Sequence, residues 1–140
     1  MKSGLPFTIL VVEDDEEDRD IIDEAFKQIG YEAEVKKFID GYSLFRYLEQ
    51  LEPSVYPSLI VLDNSLPRLN VEDILRRIKE DDRFKNLPVV IYSGSVSESK
   101  KDRLMQMGAY NIIQKEGSMQ AIVEIAQQLK RIAESAKTKI

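Results

Sequence analysis

A chain of 140 residues suits one domain with one sizeable core. It has no Cys and no His, which excludes disulfides, a thiolate nucleophile, a Cys-based zinc site, an imidazole general base and a phosphohistidine carrier. The net charge of -5 argues against a nucleic-acid partner, which needs a basic face, and no apolar stretch reaches membrane-spanning length, so a cytoplasmic protein without a membrane segment is expected.

The N-terminal Met1-Lys2-Ser3-Gly4 precedes an apolar run too short for a secretion signal. That run, Phe7 to Val12, reads as a strand buried on both faces. After it, Ile21, Ile22, Ala25, Phe26 and Ile29 form one helical stripe, and Gly30 suits the cap that ends it. Ala33, Val35 and Phe38 make a weaker, alternating strand near an edge. Leu44, Phe45, Leu48 and Leu51 make a second helix, stopped before Pro53. Leu59 to Leu62 is a third strand, and Val71, Ile74, Leu75 and Ile78 line a third helix ended by Asp81-Asp82. Val89 to Tyr92 is a fourth strand, residues 97–106 a short helix ending near Gly108, and Tyr110 to Gln114 a fifth strand. Ala121 through Ala133 line a long last helix, with a fraying tail from 134 to 140. This alternation calls for a parallel sheet covered on both faces by five helices, in one domain over residues 1–140 with its core at about 7–132.

The strand ends carry the chemistry. Glu13-Asp14-Asp15 follows the first run, Asp63 the third and Ser93 the fourth, while Lys115 closes the fifth, again read as buried on both faces. In a parallel sheet those ends open into one crevice, so acids, a hydroxyl and an ammonium converge. Such a set suits a hard divalent cation beside a phosphoryl group. With His absent, the acceptor of a phosphoryl group must be Asp, Glu, Ser, Thr or Tyr. Each residue alone has a plainer reading. Glu13 to Asp20 is acceptable as a solvated run of helix-capping and dipole-favoured acids, and Asp15, Glu16, Glu17 and Asp18 are read only that way. Asp63 suits a turn before Pro67, Ser93 or Ser97 a cap of the following helix, and Lys115 the surface.

Four motifs in order resemble the receiver domain of two-component response regulators, over roughly residues 7–132. They are Ile9-Leu10-Val11-Val12-Glu13-Asp14-Asp15, Leu59-Ile60-Val61-Leu62-Asp63-Asn64-Ser65-Leu66-Pro67, Pro88-Val89-Val90-Ile91-Tyr92-Ser93-Gly94, and Gly108-Ala109 leading to Lys115. The resemblance implies an α/β, flavodoxin-like, doubly wound sheet of strand order 2-1-3-4-5. It implies that Asp63 accepts a phosphoryl group from a sensor histidine kinase or phosphotransfer protein, with Lys115 and Ser93 assisting. It further implies that Mg²⁺ is held by Asp14 and Asp63, by Glu13 through water, and by the backbone carbonyl of Ser65. No organic cofactor is implied, and no enzymatic turnover beyond self-catalysed phosphotransfer and slow self-dephosphorylation. The switched surface would meet an unknown downstream protein, as a monomer or a phosphorylation-linked homodimer. The rival reading is a receiver-like adaptor that binds its partner without phosphorylation.

Three positions depart from the family pattern. Asn70-Val71 stands where Asp-Gly is common, so the turn into the third helix must manage without glycine. Glu116 replaces the proline that often follows the lysine, so the Lys115–Glu116 bond is expected to be trans. Ile112 stands where an aromatic residue couples the switch to an output face, with Tyr110 two residues away on the same side by period.

Overall fold

The buried runs and helical stripes resolve into five strands and five helices: β1 (Thr8–Val12), α1 (Glu16–Gln28), β2 (Glu34–Phe38), α2 (Gly41–Leu48), β3 (Leu59–Asp63), α3 (Val71–Glu80), β4 (Val89–Ser93), α4 (Glu98–Gln106), β5 (Asn111–Gln114) and α5 (Met119–Thr138). The computed structural model describes residues 7–30 and 34–138, and Ala33 lies outside them. Every strand pairing is parallel, and the order is β2-β1-β3-β4-β5. This is the flavodoxin-like doubly wound arrangement, with β2 on an edge as its alternating sequence required.

Strand pleat divides the core in two. Leu10, Val12, Ile60, Leu62, Val89 and Ile91 point to one face, where Leu44 and Leu48 of α2, Val71, Ile74, Leu75 and Ile78 of α3, and Leu104 of α4 cover them. Ile9, Val11, Leu59, Val61, Val90, Tyr92 and Ile113 point to the other, against Ile22, Ala25 and Phe26 of α1 and the apolar side of α5. By the same parity Glu13, Asp63 and Lys115 fall on the α1–α5 side, whereas Ser93 falls on the α4 side.

Each helix begins at the strand end that carries the polar residues, and each start is capped by a side chain. Asp15, Asp40 and Asn70 accept backbone N–H bonds from Asp18, Ser43 and Asp73 at 2.9, 2.8 and 2.8 Å. Ser97 and Ser118 do the same for Lys100 and Ala121 at 3.2 and 3.1 Å. Gly30 ends α1 with φ +68°, the left-handed conformation expected of it. Asn70, in place of a glycine-containing turn, needs no unusual backbone: φ is -77°. The left-handed residue of that loop is Arg68, at φ +66°. Its guanidinium lies 3.4 Å from the buried Asp40 carboxylate, which ties the loop after β3 to the start of α2.

Two expectations need correction. β5 is not buried on both faces: Asn111 and Ile112 are half-buried and Gln114 is exposed, because an edge strand has a neighbour on one side and only Leu104 of α4 is buried nearby. The last helix does not end before 134 but extends to Thr138, with Ile132 and Ala133 buried against the sheet. Among the described residues no helix is long and apolar enough to cross a membrane.

Gly41 opens α2 against the Ile74 side chain of α3 and the Leu69 side chain of the preceding loop. A Cβ there would lie 2.8 Å from Ile74 Cδ1 and 2.9 Å from Leu69 Cδ2, both buried side chains. Gly41→Ala is therefore expected to lower stability by about 1–2 kcal/mol, an overpacking cost that outweighs alanine's helix preference. Urea denaturation checks this, and an unchanged or higher midpoint would contradict the close approach.

Candidate functional site

The register of the sheet brings the polar strand ends together. Val12 pairs with Leu62, so the next residues, Glu13 and Asp63, emerge side by side. Asp63 pairs with Tyr92, and Ser93 follows at the adjacent strand end. Ser93 pairs with Gln114, and the Lys115 N–H donates to the Ser93 carbonyl at 2.8 Å. Glu13, Asp14, Asp63, Ser65, Ser93 and Lys115 all line one open cleft of about 510 Å³. A cleft of similar size, about 520 Å³, opens elsewhere beside Lys79, Pro88 and Tyr110, and no carboxylate lines it. The chemistry, not the volume, distinguishes the two.

Glu13 and Asp63 are buried, while Asp14 is exposed at the rim. One carboxylate oxygen from each lies within 4.8 Å of the others. Glu13 is held on several sides. Its N–H donates to Phe38 O at 2.9 Å, its carbonyl accepts from Arg19 at 2.8 Å, and its Oε2 accepts from the Asp15 N–H at 3.2 Å. Its Oε1 accepts from Lys115 Nζ at 2.7 Å. The same ammonium lies 2.8 Å from Asp18 Oδ2 and 3.4 Å from Asp63 Oδ1. It also sits 5.6 Å from the centre of the Tyr92 ring.

One ammonium thus serves three carboxylates. Burial pushes the Glu13 carboxyl above its ordinary 4.5, against the pull of Lys115, and the neighbouring Asp63 charge adds to the rise. Burial also works against the Lys115 charge, but its hydrogen bonds to Asp18 and Glu13 outweigh that and hold it well above the usual lysine range. Lys115 is therefore a fixed cation, and the charge it leaves incompletely matched is carboxylate. Three hard oxygen donors converging on one rim fit a divalent cation such as Mg²⁺, which needs only one or two carboxylates and keeps several waters. The acid set excludes a bare anion in the same place.

Ser93 is buried, and its Oγ donates to Ser95 O over 3.4 Å, a contact long enough to exchange for a better acceptor. Ser97, not Ser93, caps α4. Ile112 lines a small cleft with Ser93, Ser95 and Val96. Tyr110 precedes β5, is 51% exposed, and takes no place in that cleft. No cis peptide bond occurs among the described residues, so Lys115–Glu116 is trans as expected.

Asp18 is the residue that sequence reasoning misplaced. Composition assigns it to a solvated first turn, yet its carboxylate accepts from Lys115 Nζ at 2.8 Å. The available signal was periodicity: Asp18 precedes Ile22 by four and Ile21 by three, so it extends the inward stripe of α1 to the end that faces the site. Asp15, by contrast, does cap α1.

Comparison with known proteins agrees with this geometry. Rcp1, a response regulator of Synechocystis, is 33% identical over 100 residues, 69% of this chain and 68% of its own. The probable methanogenesis regulatory protein FilR2 of Methanothrix harundinacea is 32% identical over 95 residues, 66% of this chain and 61% of its own, so the match spans under two thirds of that relative. Among solved structures, a phosphorylated cyanobacterial phytochrome response regulator, RcpA, superposes with a TM-score of 0.82 at 28% identity, over 94% of this chain and 96% of that one. The Mn²⁺-bound form of Rcp1 gives 0.78 at 25% identity, over 89% and 92%. Residues 9–127, spanning all five strands, match the response regulator receiver domain, and the chain belongs to that family.

Proposed function

We propose that Asp63 is a phosphoacceptor, charged from a phosphohistidine on a sensor histidine kinase or a phosphotransfer protein in a Mg²⁺-dependent reaction, and that the phosphorylated form displays an altered protein-binding surface. The observation that carries this is the placement of Asp63: buried at the end of β3, within 4.8 Å of Glu13 and Asp14 carboxylate oxygens and 3.4 Å from Lys115. One Asp63 oxygen attacks phosphorus in line, the P–N bond to the donor imidazole breaks, and its electron pair returns to the imidazole. Asp14 and Asp63 would hold the ion directly, Glu13 through water, and Ser65 through its backbone carbonyl. When bound, the ion neutralises charge on the transferring phosphoryl. Lys115 offers a point charge to one phosphoryl oxygen, and the Ser93 hydroxyl turns from Ser95 to donate to another.

The Mn²⁺-bound Rcp1 and phosphorylated RcpA structures support the metal and phosphoryl parts of this reading respectively. Receiver domains are signalling domains rather than enzymes with turnover. In this reading the chain acts as one receiver domain whose remaining chemistry is slow loss of its own phosphoryl group. The test is treatment with acetyl phosphate and Mg²⁺, followed by intact mass and peptide mapping. One phosphoryl mass on the parent and none on Asp63→Asn is expected. Modification at full level in Asp63→Asn refutes the assignment, and an unmodified parent favours an adaptor that works without phosphorylation.

A further inference from the structure

Lys115 has three N–H donors, and two are committed to acids other than Asp63: Glu13 Oε1 at 2.7 Å and Asp18 Oδ2 at 2.8 Å. Its contact with Asp63 is the longest of the three, at 3.4 Å. The ammonium is therefore drawn toward α1, off the residue on which a phosphoryl group would sit. We propose that Asp18 is a positioning residue that competes with the Asp63 phosphoryl group for Lys115, and that charging of Asp63 proceeds with release of Asp18. The proposal rests on the assignment of Asp63 above.

Which acid yields follows from exposure. The Glu13 side chain is 4% exposed, and its second oxygen is held by the Asp15 N–H. Stripping Lys115 from it would strand a carboxylate away from water. The Asp18 side chain is 38% exposed, so water replaces the ammonium there at little cost. Asp18 is also fixed at its backbone, since its N–H donates to the Asp15 cap at 2.9 Å; release is a side-chain rotation, not a melting of the helix. A phosphoryl group on Asp63 brings more negative charge and more acceptor oxygens than the carboxylate it modifies. It wins the ammonium from the acid that loses least by letting go. Asp18 then shows its full charge on the first turn of α1, so part of the change on phosphorylation appears on that helix as well as beyond Ser93.

Beryllofluoride with Mg²⁺, a phosphoryl mimic that binds reversibly, allows an equilibrium test by titration calorimetry. Asp18→Asn removes the competitor and should tighten beryllofluoride binding about threefold to tenfold. Glu17→Gln removes the same formal charge from the same exposed turn without touching Lys115, and should stay within about twofold of the parent. Asp18→Glu keeps an acid within reach of Lys115 and should also stay near the parent. Unchanged or weaker binding in Asp18→Asn, or an equal gain in Glu17→Gln, overturns the proposal. A second readout needs no variant. Side-chain carboxyl NMR of the parent should show the Asp18 signal shift on adding beryllofluoride while Glu13 keeps its Lys115 partner, and an unmoved Asp18 signal overturns the idea even if Asp18→Asn folds poorly. Binding that persists in Asp63→Asn, or none in the parent, instead rejects the Asp63 assignment and the competition with it.

Discussion

Mg²⁺ should raise the melting temperature of the parent and leave that of Asp14→Ala unmoved. Asp14 is the exposed member of the carboxylate trio, so truncating it removes no core packing and the fold should survive. Without metal the variant should match the parent or exceed it slightly, because one negative charge leaves a cluster in which acids outnumber cations. With metal the two diverge. A ligand that binds only the folded state at about a hundred times its dissociation constant stabilises it by about 2.7 kcal/mol. For a domain of this size that is roughly a 10 °C rise. Asp14→Ala should also take up no phosphoryl group from acetyl phosphate at metal concentrations that saturate the parent. An equal metal-induced rise in both proteins would place the ion elsewhere and remove Asp14 from the site.

Much of this site was legible because a buried parallel strand has a plain sequence signature. The runs before Glu13, Asp63 and Ser93 are apolar apart from Thr8, and the polar residue that ends each marks where the strand meets the cleft. Register could not be read this way. That Asp63 stands beside Glu13, and that Lys115 follows Ser93 across the β4–β5 pair, depends on pairings between segments far apart in sequence. β5 was harder for the same reason. Ile113 is core, but Ile112 is only half-buried, because an edge strand is covered only as far as α4 and α5 reach over it.

The misreading of Asp18 has a different cause. In a run of seven acids among eight residues, Glu13 to Asp20, composition suggests a solvated helix start, and for Asp15 that is correct. Helical phase separates Asp18 from its neighbours, because it continues the stripe of Ile22 and Ala25 while Glu16, Glu17 and Asp20 face solvent. Arg68 was not anticipated either. A left-handed arginine contradicts local preference, and its pairing with Asp40 across two loops is a tertiary compensation that no window of sequence contains. Ser93 belongs to the α4 face and Glu13 and Asp63 to the α1 face, so the candidate site touches both layers of helices, and the half-buried Ile112 lies on the α4 side with Ser93.

Lys115→Met should destabilise the metal-free protein by roughly 3 kcal/mol near neutral pH, and the loss should shrink on acidification. The substitution keeps the length of the side chain and removes the charge. Asp18, partly exposed, finds water instead; Glu13 and Asp63, both buried, do not. The pH dependence follows from Glu13. Its carboxyl in the folded chain already lies above its ordinary 4.5, raised first by burial and also by Asp63, with Lys115 lowering it. The folded form therefore holds this proton more tightly than the unfolded form. Its contribution is fully present below the unfolded value and is lost as pH rises through the folded one. Removing Lys115 raises the folded value further, so the window of loss extends upward and deepens. The difference between variant and parent should then be largest near about pH 7 and markedly smaller near about pH 5, since carboxylates elsewhere titrate alike in both proteins and cancel. Lys115→Arg, which keeps the charge, should show much less of this dependence. Chemical denaturation across that pH range in the presence of chelator decides it. A destabilisation of the same size at both ends would mean that Lys115 acts by packing its aliphatic stem rather than by holding the Glu13 carboxylate in its charged form.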